Sequence, residues 1–402
     1  MSRTEVVFAG LHFKNPILVS AADHTHSLEQ LKRHIDNGVG GIVPKTLCQY
    51  PYMVNQKKIA RYMIFDSMLN PVKGKIGRDC TFMCRGGMMS EEEGWMQDLT
   101  EAAAYAKKAG AHIIGSLWGD PEWMAEKAAE MEKNGLSGVE LDIGCPHLDG
   151  IHANENVGKE VGNFLSRCKG VKKVVDACNI PVIIKMSADT GGEWEPIISY
   201  LKEIGVAAVT VHNRFVGFLP DIETQKPFLD TWSGVGGPWV VPITCYRISQ
   251  VRKMDPQMPI IATNGAYDGN DVARFLLSGA TVVACATAPM IKGFDWMKKM
   301  ISDFDAYLER KAVCAQELIG RAADAALTRE QLFEIHKQSE INEDICIKCG
   351  ICIDRCPWEA LSMKNGRIQV LPAQEGRHAG CIGCGMCTMV CPKQAIRLVD
   401  IK

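Results

Sequence analysis

Eight cysteines near the end of the chain constrain its fold more tightly than any other feature of the sequence. They form two runs of identical spacing, Cys346-x2-Cys349-x2-Cys352-x3-Cys356-Pro357 and Cys381-x2-Cys384-x2-Cys387-x3-Cys391-Pro392. Two-residue spacers let one tight loop point three thiolates at a single metal centre, while the cysteine before each proline reaches the other centre. The end of the chain must therefore fold around two shared sites.

This double spacing is typical of a bacterial-type ferredoxin domain with two [4Fe–4S] clusters, in which the fourth cysteine of each run ligates the other run's cluster. We assign one cluster to Cys346, Cys349, Cys352 and Cys391, and the second to Cys381, Cys384, Cys387 and Cys356. A pair of zinc knuckles is the alternative, because C-x2-C pairs also hold Zn²⁺. Eight cysteines in this spacing favour iron–sulfur clusters and predict a protein that carries electrons.

Composition excludes several classes of protein. Of 402 residues, 47% are hydrophobic, which suffices for a large core, and the formal net charge is only −2. No basic tract indicates a nucleic-acid partner. The opening residues MSRTEVVFAGLHF contain no apolar signal core, and no apolar stretch is long enough to span a bilayer. We expect a cytoplasmic protein with reduced cysteines that binds neither nucleic acid nor membrane.

Short apolar runs alternate with longer amphipathic stretches from residue 16 to about 310. The runs are Pro16–Ala21, Gly41–Lys45, His112–Leu117, Gly138–Ile143, Pro181–Met186, Ala207–His212, Pro259–Thr263 and Thr281–Cys285. Eight buried strands alternating with helices indicate a (β/α)8 TIM barrel. A doubly wound sheet is the rival architecture, but no G-x-G-x-x-G follows any of the strands.

The predicted organisation is an α/β barrel followed by a small α+β module. We expect a barrel over residues 1–310, a helical linker over 311–340 and a bacterial-ferredoxin-like domain over 341–402. The segment Gln49–Glu93 is long for a loop, and after a barrel strand such an insertion usually forms part of the roof over the active site.

Barrel enzymes place their chemistry just beyond the C-terminal ends of the strands. The residues at these positions, in strand order, are Ser20 and Ala21, Lys45 and Thr46, Ser116, Asp142 and Cys145, Lys185, His212, Asn213 and Arg214, Asn264 and Gly265, and Ala286 and Thr287.

Lys45 and Lys185 end otherwise apolar strands, where a buried charge is costly unless an anion compensates it. A reduced flavin, whose N1/O2 edge becomes anionic, is such a partner. Snorkelling lysines are the alternative explanation. Gly237 joins the small residues of the last two strands at the corner where barrels commonly bind phosphate, although most Gly-Gly pairs are only turns.

Cys145 lies in the segment ELDIGCPH, just past the fourth strand and fixed by a proline. A thiol with an ordinary pKa of roughly 8.5 is largely protonated at neutral pH and can act as a general acid. We therefore predict that Cys145 is catalytic. The alternative is an inert buried cysteine.

These residues resemble the flavin-dependent dihydroorotate and dihydropyrimidine dehydrogenase superfamily over most of residues 4–300. The similar segments are VVFAGLHFKNPILVSA, VPKT, VELDIGCPH, IIKM, TVHNR and IIATNGAYDGNDVARFLLSGATVV. The resemblance implies an FMN-binding barrel, with the cysteine of VELDIGCPH moving a proton on the substrate. The architecture is similar to dihydropyrimidine dehydrogenase subunits that fuse this barrel to a two-cluster ferredoxin module.

The resemblance also implies substrate contacts from Asn213 and, through DSMLNP, from Asn70. Two positions depart from the family: Asp142 stands where an asparagine grips the pyrimidine, and Arg214 stands where a threonine is usual. Asp142 changes the hydrogen-bonding polarity, and Arg214 can hold a carboxylate. Both argue against uracil or thymine as the substrate. The residues around Asn213 are also similar to tRNA-dihydrouridine synthases, in which His212 and Arg214 would contact the flavin.

The sequence therefore predicts an oxidoreductase that reduces, or forms, a carbonyl-conjugated C=C bond in a small, cyclic metabolite. No fingerprint for NAD(P)H is visible. We expect electrons from ferredoxin or from an NAD(P)H-oxidising flavoprotein subunit, and a homodimer or a hetero-complex. The alternatives are a tRNA-modifying reductase and an electron-relay subunit whose barrel only holds flavin.

Overall fold

A computed structural model of the chain describes residues 2–50, 61–91, 94–144, 164–188, 194–373 and 380–401. The chain separates into two compact units, residues 1–324 and residues 325–402. This division does not decide the sequence-based boundaries at residues 310 and 340, which stay a prediction.

Eight parallel strands form a closed barrel in the first unit. They are β1 (Ile17–Val19), β2 (Gly41–Ile42), β3 (His112–Trp118), β4 (Gly138–Leu141), β5 (Val182–Lys185), β6 (Ala208–Val211), β7 (Ile260–Ala262) and β8 (Val282–Cys285). Each strand pairs with the next in chain order, and β8 pairs with β1 to close the ring. After a break, Leu47–Cys48 continues β2 and also pairs with β3. All eight coincide with the predicted apolar runs, with β3 extending one residue further to Trp118, and the predicted barrel is confirmed.

The strands are apolar because both of their faces are covered. Every residue of β4, β5, β6 and β8 is buried, as expected for parallel strands with packed side chains inside and helices outside. The antiparallel hairpin Val6–Phe8 and Leu11–Phe13 adds Phe8 and Phe13 to the same core.

Helices follow the strands in the first unit. The described helices are Leu28–Asp36, Trp95–Lys108, Pro121–Lys133, Phe164–Cys168, Val171–Ala177, Trp194–Glu203, Val241–Met254, Gly269–Ser278, Thr287–Lys292, Trp296–Lys311, Ala315–Leu318 and Arg321–Asp324. Local chemistry sets their ends: Asp268 and Asp271 form a capping box at the start of the helix after β7. None of the helices in the described ranges is long and apolar enough to cross a membrane.

A four-stranded antiparallel sheet is built from the insertions that follow β2 and β6. Its strands, in spatial order, are Phe215–Gly217, Ser233–Gly236, Thr81–Cys84 and Tyr62–Phe65. A short hairpin, Pro220–Asp221 with Lys226–Pro227, extends the second insertion. Phe65, Met83 and Leu229 form a small separate core for this sheet.

The second unit contains two short antiparallel ladders. Lys337–Ile341 pairs with Ile396–Asp400, and Leu361–Lys364 pairs with Arg367–Val370. Its described helices are Arg329–Phe333, Ile351–Asp354 and Met386–Val390. Cys352 and Cys387 belong to its small core. The predicted linker is helical over three short segments and becomes a strand at Lys337. This small α+β module confirms the ferredoxin-like fold class.

A pair of buried histidines lies beside β1 of the barrel. The ring of His34, in helix Leu28–Asp36, stacks on Phe294 at 4.4 Å and meets His24 edge-on at 4.9 Å between ring centroids. Neither ring nitrogen of His34 has a hydrogen-bond partner among the described residues. Burial lowers the pKa of His24 to about 4 and that of His34 to about 3, so both rings are neutral in the folded protein.

We predict that this pair makes the barrel sensitive to acid. In the unfolded chain these histidines bind protons near pH 6.5, whereas in the folded chain they bind protons only at a lower pH. The free energy of unfolding should therefore fall as the pH drops from about 6.5 to 4. The slope should reach about 1.4 kcal/mol per pH unit for each histidine. Urea unfolding at several pH values measures this slope of the free energy of unfolding against pH. His34→Leu should flatten the slope, and His12→Leu, at an exposed histidine, should not; equal slopes in all three proteins would contradict the prediction.

Candidate active site

An open cleft of about 1140 Å³ lies at the C-terminal ends of the barrel strands, bordered by the four-stranded sheet. The candidate residues among its lining are Ser20, Ala21, Lys45, Thr46, Asp142, Lys185, His212, Asn213, Arg214, Gly237, Asn264, Gly265, Ala286 and Thr287. Tyr62, Phe82 and Cys84 of the sheet also line it, so the insertion after β2 contributes to the wall of the cleft as expected.

Lys45, just past β2, is compensated by a carboxylate that follows β1. Its Nζ lies 2.8 Å from Asp23 Oδ1, and Arg61 Nη1 lies 3.1 Å from Asp23 Oδ2. Burial alone would raise the pKa of Asp23, but the two cations outweigh it and hold that pKa below its usual value. Burial lowers the pKa of Lys45, and Asp23 opposes this effect. Asp23 therefore keeps a cation at the floor of the cleft.

Lys185, at the end of β5, lies between two acidic residues of the neighbouring strand. Its Nζ is 3.4 Å from Glu140 Oε1 and 3.6 Å from Asp142 Oδ2, and the exposed fraction of its side chain is 8%. Glu140 is buried inside the barrel and also accepts a hydrogen bond of 2.6 Å from Thr210 Oγ1. Burial raises the pKa of Asp142, Lys185 and Arg214 lower it, and Glu140 adds to the rise. Both lysines thus have carboxylate partners within the protein.

Asp142 is held by neighbours on both sides. Its Oδ1 accepts a 2.8 Å hydrogen bond from Asn213 Nδ2, and its Oδ2 lies 3.5 Å from Thr46 Oγ1. Asn213 Oδ1 in turn accepts a hydrogen bond from the backbone N–H of Arg214. Thr46 Oγ1 also contacts Ser116 Oγ at 2.9 Å. The carboxylate of Asp142 is therefore fixed in direction at the edge of the cleft.

Small residues border the corner of the cleft that is formed by the ends of β7 and β8 and the insertion after β6. A side chain at Gly237 would lie 2.4 Å from the carbonyl oxygen of Cys80, and one at Gly236 would lie 2.5 Å from Asn264 Oδ1. Asn264 Nδ2 is buried with no hydrogen-bond partner among the described residues. On the other side, His24 Nε2 contacts the carbonyl oxygen of Ala286. An open corner with an unsatisfied donor suits a polar ligand such as a flavin side chain and its phosphate.

Two of the described candidates, Ser116 and Asn70, do not line the cleft. Ser116 is buried behind Thr46 and reaches the site only through that hydroxyl. Asn70 is exposed, at a turn where its side chain contacts Asp66, so the structure does not bring it to Asn213 and Arg214. Cys145 lies outside the described residues. The preceding Gly144 is described, and a side chain there would lie 2.5 Å from both Lys185 O and Ser187 N.

Sequence reasoning missed several cleft residues. Asp23 stands directly after Ser20–Ala22, so the rule for strand ends could have found it. Glu140 was detectable as an acidic residue within an apolar run. Arg61 and Arg85 lie in the insertion after β2, where no periodic pattern in the sequence indicates a role for them. Arg85 is tied to Leu229 O and Asp230 of the other insertion.

The second unit gathers its cysteines into two groups. Cys346, Cys349, Cys352 and Cys391 line one small cavity, and Cys356, Cys381, Cys384 and Cys387 line another. Each group joins three cysteines of one run with the last cysteine of the other, which is the crossed arrangement predicted from the spacing. Four sulfurs around one cavity fit a [4Fe–4S] cluster.

Comparison with known proteins agrees with both parts of the chain. Residues 3–308 match the family described as dihydroorotate dehydrogenase, and residues 345–396 match the 4Fe-4S dicluster domain. The catalytic subunit of dihydroorotate dehydrogenase B (NAD(+)) from Methanocaldococcus jannaschii is 25% identical over 315 residues, covering 78% of this chain and 96% of that protein. The corresponding subunit from Pyrococcus furiosus is 27% identical over 325 residues, with coverages of 78% and 96%.

The NAD-dependent dihydropyrimidine dehydrogenase subunit PreA of Escherichia coli (strain K12) is 25% identical over 362 residues, covering 87% of this chain and 84% of that protein. Barrel, cleft and cysteine sites thus define a flavin- and iron–sulfur-dependent oxidoreductase, with FMN and [4Fe–4S] clusters as its cofactors. Since the family match spans most of its length, the chain belongs to the dihydroorotate dehydrogenase family.

We predict that Lys185→Met strongly destabilises the barrel. It leaves Glu140 and Asp142 buried without the cation between them, so one carboxyl group must bind a proton in the folded protein. A folded state that binds more protons than the unfolded chain loses stability as the pH rises. Urea unfolding should show a loss of about 3–5 kcal/mol at pH 8 and a smaller loss at pH 5.

The matched control is the double variant Lys185→Met with Glu140→Gln. It removes the like-charged neighbour of Asp142 and should recover part of the lost stability at pH 8. If the single variant were as stable as the wild type at both pH values, the three charges would not be coupled as described.

Proposed function

We propose that the protein reduces, or forms, a carbonyl-conjugated C=C bond in a small cyclic metabolite, using electrons that pass through its clusters. The observation that carries this proposal is one cleft, in a barrel of this family, that gathers two buried lysines with Asp142, Asn213 and Arg214. The same chain contains two groups of four cysteines for one-electron carriers.

The residues that would hold FMN are those of the floor and the small-residue corner of the cleft. They are Ser20, Ala21, Lys45, Thr46, Lys185, His212, Gly237, Asn264, Gly265, Ala286 and Thr287, with Ser116 acting through Thr46. When bound, FMN supplies hydride transfer and the clusters supply single electrons. Lys45 and Lys185 would stabilise the negative charge that develops beside them, and Asp23, Glu140 and Asp142 hold the two side chains in place.

Cys145 has the role of moving the proton. In the reducing direction its thiol donates a proton to the carbon next to the one that receives hydride, and in the oxidising direction its thiolate removes it. Gly144 supports this role indirectly, because it lets the chain pass within contact distance of the end of β5 just before Cys145. The backbone of Gly144, directly before Cys145, therefore lies beside the end of β5.

Asp142, Asn213 and Arg214 would orient the substrate. Asp142 is fixed by Asn213 and Thr46, so a carboxylate oxygen can accept a hydrogen bond from a ring N–H or O–H. Arg214 adds a guanidinium that can pair with a carboxylate. This combination favours a ring that carries both a donor and an anionic group over uracil or thymine.

A separate protein would supply or accept the electrons. No G-x-G-x-x-G follows a strand in the sequence. The names of the relatives call them subunits of NAD-dependent enzymes, which supports an NAD(P)H-oxidising flavoprotein subunit, or ferredoxin, as the partner. We propose a homodimer or a hetero-complex on the same grounds.

We predict that Cys145→Ala retains FMN and both clusters but loses turnover by about 10²–10⁴-fold, the usual contribution of general acid catalysis. The measurement is reoxidation of the photoreduced protein by cyclic C=C acceptors, beginning with orotate and uracil, under anaerobic conditions. Cys178→Ser, which changes a thiol that does not line the cleft, should keep the wild-type rate. Full activity in Cys145→Ala would exclude this thiol from the mechanism. Reoxidation of the wild type by none of the acceptors would favour an electron relay.

A second prediction concerns the electron donor. The purified chain alone should not oxidise NADH or NADPH, because it lacks a dinucleotide-binding fingerprint, and it should accept electrons from reduced ferredoxin. Absorbance at the nicotinamide band, followed with and without added ferredoxin and its reductase, measures both. Steady oxidation of NADH or NADPH by the chain alone would refute the need for a partner.

A further inference from the structure

Ser339 lies against one of the two cysteine groups of the second unit. It is the central residue of strand Lys337–Ile341 and is 5% exposed. Its Oγ lies 3.0 Å from Cys387 Sγ and 3.6 Å from Cys381 Sγ. Its backbone N–H also donates to Cys381 Sγ, at 3.4 Å. One residue thus contacts two of the four sulfurs that line this site.

The two cysteine sites are alike in one backbone contact. Ala360 N donates to Cys356 Sγ at 3.3 Å, and Ala395 N donates to Cys391 Sγ at 3.2 Å, in each case four residues after the cysteine. The hydroxyl of Ser339 breaks this equivalence. The described residues around the other site include no hydroxyl group; besides cysteine and glycine they are Ile347, Lys348, Ile351, Ile368, Pro392, Lys393 and Ile396.

Close packing fixes the second cysteine run onto the strand that carries Ser339. Gly383 has a φ of 72°, and a side chain there would lie 2.4 Å from the carbonyl oxygen of Lys337. The corresponding position of the first run is Lys348, two residues after the first cysteine of that run, with a φ of 56°. Since the first run has a lysine at this position, its backbone does not approach a neighbouring strand as closely as Gly383 does. The run with Gly383 is seated on the strand, so the contact with Ser339 belongs to that site.

We propose that Ser339 donates a hydrogen bond to iron-bound Cys387 and raises the reduction potential of the cluster held by Cys356, Cys381, Cys384 and Cys387. A thiolate bound to iron has no proton, so the hydrogen in the 3.0 Å contact must come from the serine hydroxyl. The reduced cluster carries one more negative charge than the oxidised cluster, and the hydrogen bond stabilises it more. One electron enters, and no proton or covalent bond changes.

Two lysines flank the other site, and their positive charges also raise the reduction potential of the cluster there. Lys348 and Lys393 are both exposed, so water and salt screen their charges. Ser339, by contrast, is buried against the sulfur. The proposal concerns only the second unit and does not depend on the substrate of the barrel.

The test is a redox titration of the full chain, followed by electron paramagnetic resonance under anaerobic conditions. In Ser339→Ala, one of the two cluster potentials should fall and the other should stay. Loss of one net hydrogen bond lowers the equilibrium constant for reduction about 2–10-fold, or about 20–60 mV at 59 mV per tenfold for one electron. Ser339→Thr keeps the hydroxyl and should restore the wild-type potential. Ser362→Ala, at an exposed serine of the same unit, should change neither potential.

Several outcomes would overturn the proposal. One is a Ser339→Ala protein with full iron content and both potentials unchanged; another is an equal shift of both potentials. If Ser339→Ala loses iron, Ser339→Thr is compared with Ser339→Val, which has nearly the same shape without the hydroxyl. A selective fall in the valine variant supports the proposal. Loss of the cluster in every variant without the hydroxyl would assign Ser339 a role in assembly instead.

Discussion

Closure of the parallel sheet is the constraint on which the rest of the molecule depends. Because β8 pairs with β1, the eight strands point their C-terminal ends at one rim. The body of the barrel is filled with apolar side chains, and polar groups therefore collect where the strands end. Lys45, Asp142 and Lys185 follow different strands and reach the same cleft because these parallel strands all end at this rim.

The rim would not be stable with unpaired cations. Asp23 compensates Lys45, while Glu140 and Asp142 compensate Lys185, so the burial of each lysine is offset by Coulombic attraction in a medium of low dielectric. Asp23 also opposes the lowering of the Lys45 pKa by burial. Stability and chemistry depend on the same few atoms. In the second unit, too, the same residues serve stability and chemistry, because its small core includes Cys352 and Cys387.

Much of the fold could be predicted from the sequence because its signals are local. Buried strands such as β5 are continuous apolar runs, and the spacing of the cysteine runs is set by loop geometry. Most of the residues that the rule for strand ends selected do line the cleft. The insertions were harder, since their shape depends on contacts with each other. Asn70 shows this: the sequence pattern suggests a substrate residue, whereas the structure places it at an exposed turn beside Asp66.

The partners of the charged residues could not be predicted from the sequence either. Nothing local to Lys45 indicates that Asp23 will face it, because the two residues follow different strands. Likewise, Ser339 has no distinguishing sequence context, and only the pairing of Lys337–Ile341 with Ile396–Asp400 brings it to Cys387. Such pairings require knowledge of register and of which strands are neighbours.

The sheet beside the cleft joins insertions from opposite sides of the ring, since β2 and β6 are four strands apart and Thr81–Cys84 pairs with Ser233–Gly236. The sheet is therefore one unit whose hydrogen bonds are separate from those of the barrel. The two insertions must change together, but their joint replacement would leave every hydrogen bond between barrel strands intact. Descendants of such a chain could acquire new ligand preferences by exchanging this one part, while the residues at the ends of the barrel strands stay unaltered.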